Sequence, residues 1–135
     1  YDANGELGKL KKRFDVPFAK ELKENIVSRN FSLLTGHLPS YDMQILKAAK
    51  RKDFVSVNHR VAAFLESYFD IIFAVNELTH PGEKRMISYA AAHANLLPNQ
   101  FEQSLNTLLM SITASPEILE KQLKDMIANL AEILS

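Results

Sequence analysis

Asn76, His80, Lys84 and Arg85 stand close together in the stretch VNELTHPGEKR, residues 75–85. An amide, an imidazole and two cations suit the binding of an anion or a polar ligand. The amide both donates and accepts, the imidazole can do either near neutral pH, and the cations pair with phosphate. No nucleophile stands beside a base in this set, so the chemistry it points to is binding rather than bond making. A helix starting near Glu83 would add main-chain N–H groups and the positive end of its dipole. The plainer reading has Lys84 and Arg85 solvated, His80 capping a helix end, and Asn76 tying down a neighbouring main chain.

Other reaction chemistry finds little support. The sequence has no P-loop, GxGxxG, HExxH or GxSxG pattern. Histidines 37, 59, 80 and 93 are scattered and never pair at i,i+4, and no Glu-x-x-His pair occurs, so no metal site is expected. Helical RNases that pair Arg with a nearby His need a shorter spacing than the seven residues between Arg51 and His59. There are no cysteines, which excludes thiol catalysis, thiolate metal sites and a disulfide framework, and fits a reducing cytoplasm.

The elements that must position the four residues read as helices from about residue 16 to the end. Asp15-Val16-Pro17 is a start signal, followed by apolar residues at Phe18, Leu22, Ile26, Phe31 and Leu34. Gly36 and Pro39 punctuate, and a second helix starts near Ser40. Asp53 could cap a new helix or sit inside a continuing one, so residues 40–79 could form one helix or two. No Gly or Pro interrupts residues 54–79, which predicts a long helix stopped by Pro81-Gly82. Further helices are expected over about 83–95 and 100–112. Ser115-Pro116-Glu117 is a strong start for the last one. The expectation is an all-α bundle of five or six helices around one long central helix at about 54–79.

At 100° per residue the long helix carries a polar or small stripe: Asp53, Ser56, Arg60, Ala63, Ser67, Asp70, Ala74 and Glu77. Its remaining faces are mostly apolar, so neighbours should cover it on several sides. Asn58 and Asn76, 18 residues apart, fall in line with Leu65, Phe69 and Ile72. A buried amide without a partner costs about 1–3 kcal/mol, so both are expected to be hydrogen-bonded.

A length of 135 residues, 47% hydrophobic and 24% charged, is that of one globular domain. No apolar run approaches the roughly 20 residues that span a bilayer, so no membrane association is expected. The net charge of zero is uneven. Residues 1–60 hold 12 Lys and Arg against 7 Asp and Glu, and residues 61–135 hold 4 against 9. A basic first half, with Lys9, Lys11, Lys12, Arg13, Lys47, Lys50, Arg51 and Lys52, could serve a helical interaction module that binds protein or RNA. Stacking platforms for single strands are not evident, which makes a nucleic-acid partner the poorer choice. The opening Asp2-Ala3-Asn4-Gly5 turn suggests a segment cut from a longer protein, with 1–15 as linker and 16–135 as the bundle. Exposed helix faces of such a domain could also pair as a homodimer.

Four segments carry a resemblance. YDANGEL at 1–7 looks like a strand and turn leaving a catalytic domain. AAKRKDF at 48–54 resembles an Ala-x-x-Arg-x-Asp step that opens a long helix. IIFAVNELTHPGEKR at 71–85 resembles a helix-ending Phe-Ala-x-Asn followed by Pro-Gly-x-Lys, and LLPNQF at 96–101 fits the next turn. Together they resemble the C-terminal helical region of DNA polymerase-β superfamily nucleotidyltransferases, in a bacterial group related in design to the aminoglycoside nucleotidyltransferases. The resemblance implies transfer of a nucleoside monophosphate from a nucleoside triphosphate, with magnesium, to an acceptor such as a small molecule. The Gly-Ser turn and Asp-x-Asp pair of that chemistry are not in this sequence, so the chain would be the accessory, substrate-binding domain and hold no cofactor itself. The resemblance would have Asn76 bond nucleotide or acceptor, with His80 beside it, and Lys84 and Arg85 neutralise phosphate. Arg51 and Asp53 would orient the long helix against the missing catalytic domain, with Asn58 as a structural polar contact.

Overall fold

Two residues in the left-handed region, Lys52 (φ 57°) and Glu77 (φ 55°), bound the central helix. The computed structural model describes residues 20–36 and 39–135. Among them are six helices and no strand: α1 Lys20–Leu34, α2 Tyr41–Lys50, α3 Phe54–Val75, α4 Met86–His93, α5 Phe101–Met110 and α6 Pro116–Leu134. The turn at 2–5, the linker at 1–15, the helix start at Asp15–Pro17, Lys9, Lys11, Lys12, Arg13 and His37 lie outside the described residues.

Residues 40–79 form two helices. At the end of α2 the Lys52 N–H donates to Ala49 O and the Asp53 N–H to Ala48 O, each at 3.0 Å. Those two bonds around a left-handed residue are a Schellman motif, which satisfies the last carbonyls and turns the chain. Asp53 then caps α3, accepting from the Ser56 N–H at 3.2 Å and the Ser56 hydroxyl at 2.7 Å. Arg51 closes the corner, its Nη2 lying 3.3 Å from Asp53 Oδ2. The Ser56 hydroxyl, its N–H and the Arg51 guanidinium all favour the ionised form and hold the Asp53 carboxyl below the usual carboxylate range.

The expected end of the long helix near 79 is corrected to Val75. The stop is a second Schellman motif at Glu77, not Pro81-Gly82. There the Glu77 N–H donates to Ala74 O at 3.1 Å and the Leu78 N–H to Phe73 O at 2.8 Å. Leu78 is thereby folded back against the core. A helix can stop this way without glycine when tertiary packing holds the turn, and a run of good helix formers does not announce it.

The rod α3 is enclosed as its composition demands. Phe64, Tyr68, Ile71 and Ile72 are fully buried, and each such side chain removed from water stabilises the fold by about 1.5–3 kcal/mol. Leu34 of α1, Ile45 of α2, Leu105 and Leu108 of α5, and Leu119 and Leu130 of α6 complete the core. The small stripe does what small residues do at a crossing. Ser67 and Ala74 are buried, and α1 packs along the face of Asp70 and Ala74. Ser115 and Pro116 start α6 as expected, with the Ile118 N–H donating to Ser115 Oγ.

One expectation fails at the other end of α3. Asn58 is exposed, with no hydrogen bond among the described residues. Its angular position matches the buried Phe69 and Ile72, but the bundle covers that line only along the second half of the helix. Phe54 and Val55 in the first turn are also exposed while Val57 is fully buried, so only one side of the rod is left uncovered there.

Candidate functional site: a cleft between α1 and the end of α3

The reversal at Glu77 brings the loop after α3 back along its own last turns. Leu78, Thr79 and His80 thus join Asp70, Phe73 and Ala74 as one wall of a cleft of about 680 Å³. Helix α1 forms the other wall with Leu22, Asn25, Ile26, Arg29, Asn30 and Leu33. Spacings of three and four residues put these on one side of α1, as helical geometry requires. The volume falls within the range of small-molecule sites, and an apolar lining with a few polar groups is their usual make-up.

His80 is held from three directions. The Gly82 N–H donates to His80 Nδ1 at 3.0 Å, and Phe73 meets the ring edge-on at 5.2 Å. Nε2 faces Asp70 Oδ1 at 3.9 Å. With Nδ1 accepting from the main chain, the neutral ring carries its proton on Nε2, directed at Asp70. Asp70 is half-buried, and desolvation pushes its carboxyl above the ordinary value of 3.8. His80 opposes that rise and the neighbouring Glu66 adds to it. Arg29 stands in the same cleft and makes no ion pair among the described residues. Asn30 spends one N–H on Ile26 O at 2.9 Å, as a back-bond within α1.

The other three residues of the 75–85 cluster go elsewhere. Asn76 is a main-chain clamp. Its Nδ2 donates to Ile72 O and to Leu96 O, and its Oδ1 accepts from the Leu96 N–H, each at 2.8 Å. These bonds use both amide protons and tie the end of α3 to the segment between α4 and α5. Lys84 is exposed. Arg85 sits left-handed (φ 58°) at the start of α4, where its carbonyl accepts from the Tyr89 N–H and the Ser88 hydroxyl. It borders a separate groove with Leu65, Phe69, Met86 and Leu109. None of Asn76, Lys84 and Arg85 lines the α1–α3 cleft. His80 alone of the four does, and the polar residues that line the cleft with it, Asp70, Arg29 and Asn25, were not singled out from sequence as site residues. Asp70 had a signal, as a carboxylate set among Tyr68, Phe69, Ile71 and Ile72, but only the reversal at Glu77 reveals which residue it faces.

Arg51 and Asp53 pair with each other at the α2–α3 corner, on the surface and away from the cleft. Among the described residues no three His, Cys, Asp or Glu side chains gather closely enough to hold a metal ion. The magnesium implied by the resemblance finds no donor set among the described residues. No described helix is long and apolar enough to cross a membrane. Comparison of the chain with protein-family models, with curated proteins and with solved structures finds no match.

Proposed function

We propose that this helical domain binds nucleotide or acceptor for a nucleotidyltransferase whose catalytic groups lie on another domain. The observation that carries the reading is the α1–α3 cleft: small-ligand size, apolar walls, and Arg29, Asp70 and His80 converging on it. The segments at 48–54, 71–85 and 96–101 that resemble the polymerase-β superfamily support the same assignment. In this reading His80 keeps the ligand-binding role inferred from sequence. Asn76 acts indirectly, by fixing the end of α3 from which the cleft wall departs. Lys84 and Arg85 are exposed and free of ion pairs among the described residues, as phosphate-neutralising groups facing an incoming catalytic domain would be.

Titrating the ¹⁵N-labelled chain with magnesium and a nucleoside triphosphate tests this. Weak binding, with Kd near 1 mM, is expected for a domain that supplies part of a site. Amide shifts should concentrate at Asn25, Arg29, Thr79 and His80. Shifts confined to other regions, with the cleft silent, would overturn the assignment.

The exposed Lys47, Lys50, Arg51 and Lys52 at the end of α2 support a second reading, an interaction module for an acidic protein or RNA surface. Affinity for such a polyanion that falls steeply with salt would favour it, and no binding at low salt would remove it.

A further inference from the structure

A donor and an acceptor stand side by side in the cleft without bonding each other. His80 Nδ1 accepts the Gly82 N–H at 3.0 Å and Phe73 packs against the ring, while the other nitrogen faces Asp70. In the neutral ring Nε2–H is then a donor. Asp70 Oδ1, 3.9 Å away, is an acceptor on a half-buried carboxylate. That separation is too long for a direct hydrogen bond. An oxygen about 2.8 Å from each atom, however, fits between them. A group that accepts one bond and donates another on a single atom is a water molecule or a hydroxyl, and a ligand hydroxyl can take the place that a water would hold. A carbonyl or phosphate oxygen cannot donate to Asp70, and an ammonium cannot accept from Nε2.

We infer that Asp70 and His80 read a ligand hydroxyl, and that this hydroxyl belongs to the ribose of a nucleoside phosphate. The inference rests on the proposed function and specifies which part of the ligand meets which residues. The hydroxyl accepts from His80 Nε2–H and donates to Asp70. Arg29, on the opposite wall, supplies the one cationic side chain that lines the cleft among the described residues, and pairs with phosphate. Ile26, Leu33 and Leu78 provide apolar surface for the base. A ligand that combines these three parts matches the cleft's mixed lining better than a uniformly polar or uniformly apolar one.

The test compares adenosine triphosphate with its 2′,3′-dideoxy analogue, each titrated into the ¹⁵N-labelled chain up to about 10 mM, about tenfold above the weak Kd expected of a partial site. The ribonucleotide should bind at least about 10-fold more tightly, since a hydrogen bond to a charged group carries that much discrimination. In Asp70→Ala the ratio should fall to about 1, with binding of the dideoxy analogue changed by less than about 2-fold. Asp70→Asn keeps the side-chain shape and a neutral acceptor, so the ratio should drop to an intermediate value even if the alanine variant fails to fold. A merely structural role for Asp70 would weaken both nucleotides together and leave the ratio unchanged. Equal affinity for both nucleotides in the wild-type chain, or a ratio that survives both Asp70 variants, would overturn the hydroxyl assignment and leave the cleft as a nucleotide site. No shift with either nucleotide would overturn the assignment and the proposed function together.

Discussion

Tyr68 is buried at the centre of the aromatic core, with ring centroids 6.3 Å from Phe64 and 6.4 Å from Phe101. Its hydroxyl has no hydrogen-bond partner among the described residues, and burial pushes its pKa upward. The ring supplies the packing while the hydroxyl is a desolvated polar group, so the two should separate on mutation. Tyr68→Phe keeps the stack and removes the unpaired oxygen. It should raise the unfolding free energy by about 1 kcal/mol, the low end of the cost of an unsatisfied buried group. Urea unfolding followed by circular dichroism measures it, and a loss of stability would reveal a partner that the ring geometry does not suggest. Asn76 shows the opposite use of a polar group. Its amide is engaged on both sides, which is why a residue so close to the mouth of the cleft does not reach into it.

At the level of the elements, the ends of α3 set the shape of the cleft. The Schellman turn at Glu77 reverses the chain, and the Asn76 clamp holds the reversed segment against residue 96. Asn76→Ala would strip Leu96 of both main-chain partners. Because Leu96 is about half exposed, water can replace them, and the cost should be about 1–2 kcal/mol rather than a full buried-pair penalty. Hydrogen exchange should then show lost protection at the Leu96 amide before any change in the middle of α3. Equal protection in the variant would mean that packing of Leu78 and Leu97, not the clamp, holds the reversal. The polar stripe of α3 has a comparable role. Ala74 is small enough to let α1 approach, and Asp70 on the same stripe lines the cleft between the two helices.

For the molecule as a whole, burying Asp70 makes stability depend on pH in a particular direction. Desolvation raises its carboxyl above 3.8, with Glu66 adding to the rise and His80 opposing it. A raised carboxyl binds more protons in the folded chain than in the unfolded one between those two values. Its contribution to stability is thus most favourable below pH 3.8 and is lost as pH rises through the folded pKa. Asp53 acts in the opposite sense. Its lowered pKa adds stability that is present above 3.8 and lost as pH falls through the folded value. Subtracting the unfolding curves of Asp70→Asn from those of the wild type, across pH 2 to 8, isolates the first effect. The wild type should lose stability relative to the variant as pH rises above 3.8, then run parallel to it. A relative gain over that interval would mean that His80, rather than burial, controls Asp70.

How much of this was legible beforehand depends on the range of the forces involved. Helix content, the all-α class, the enclosed rod and the Ser115-Pro116 start follow from periodicity and capping chemistry, which act over a few residues. So does the expectation that Asn76, set on the apolar side of α3, must be hydrogen-bonded, whereas the pairing of His80 with Asp70 does not. The break after Lys50 and the stop after Val75 were not legible in the same way. Each depends on a non-glycine residue held left-handed by its surroundings, and the local residues there favour helix on their own. The exposure of Asn58 likewise depends on where neighbouring helices end, not on its angle around α3. The cleft is the most tertiary feature of all. Asp70 and His80 meet through one turn of backbone, and Arg29 arrives on a separate helix that packs beside the small Ala74.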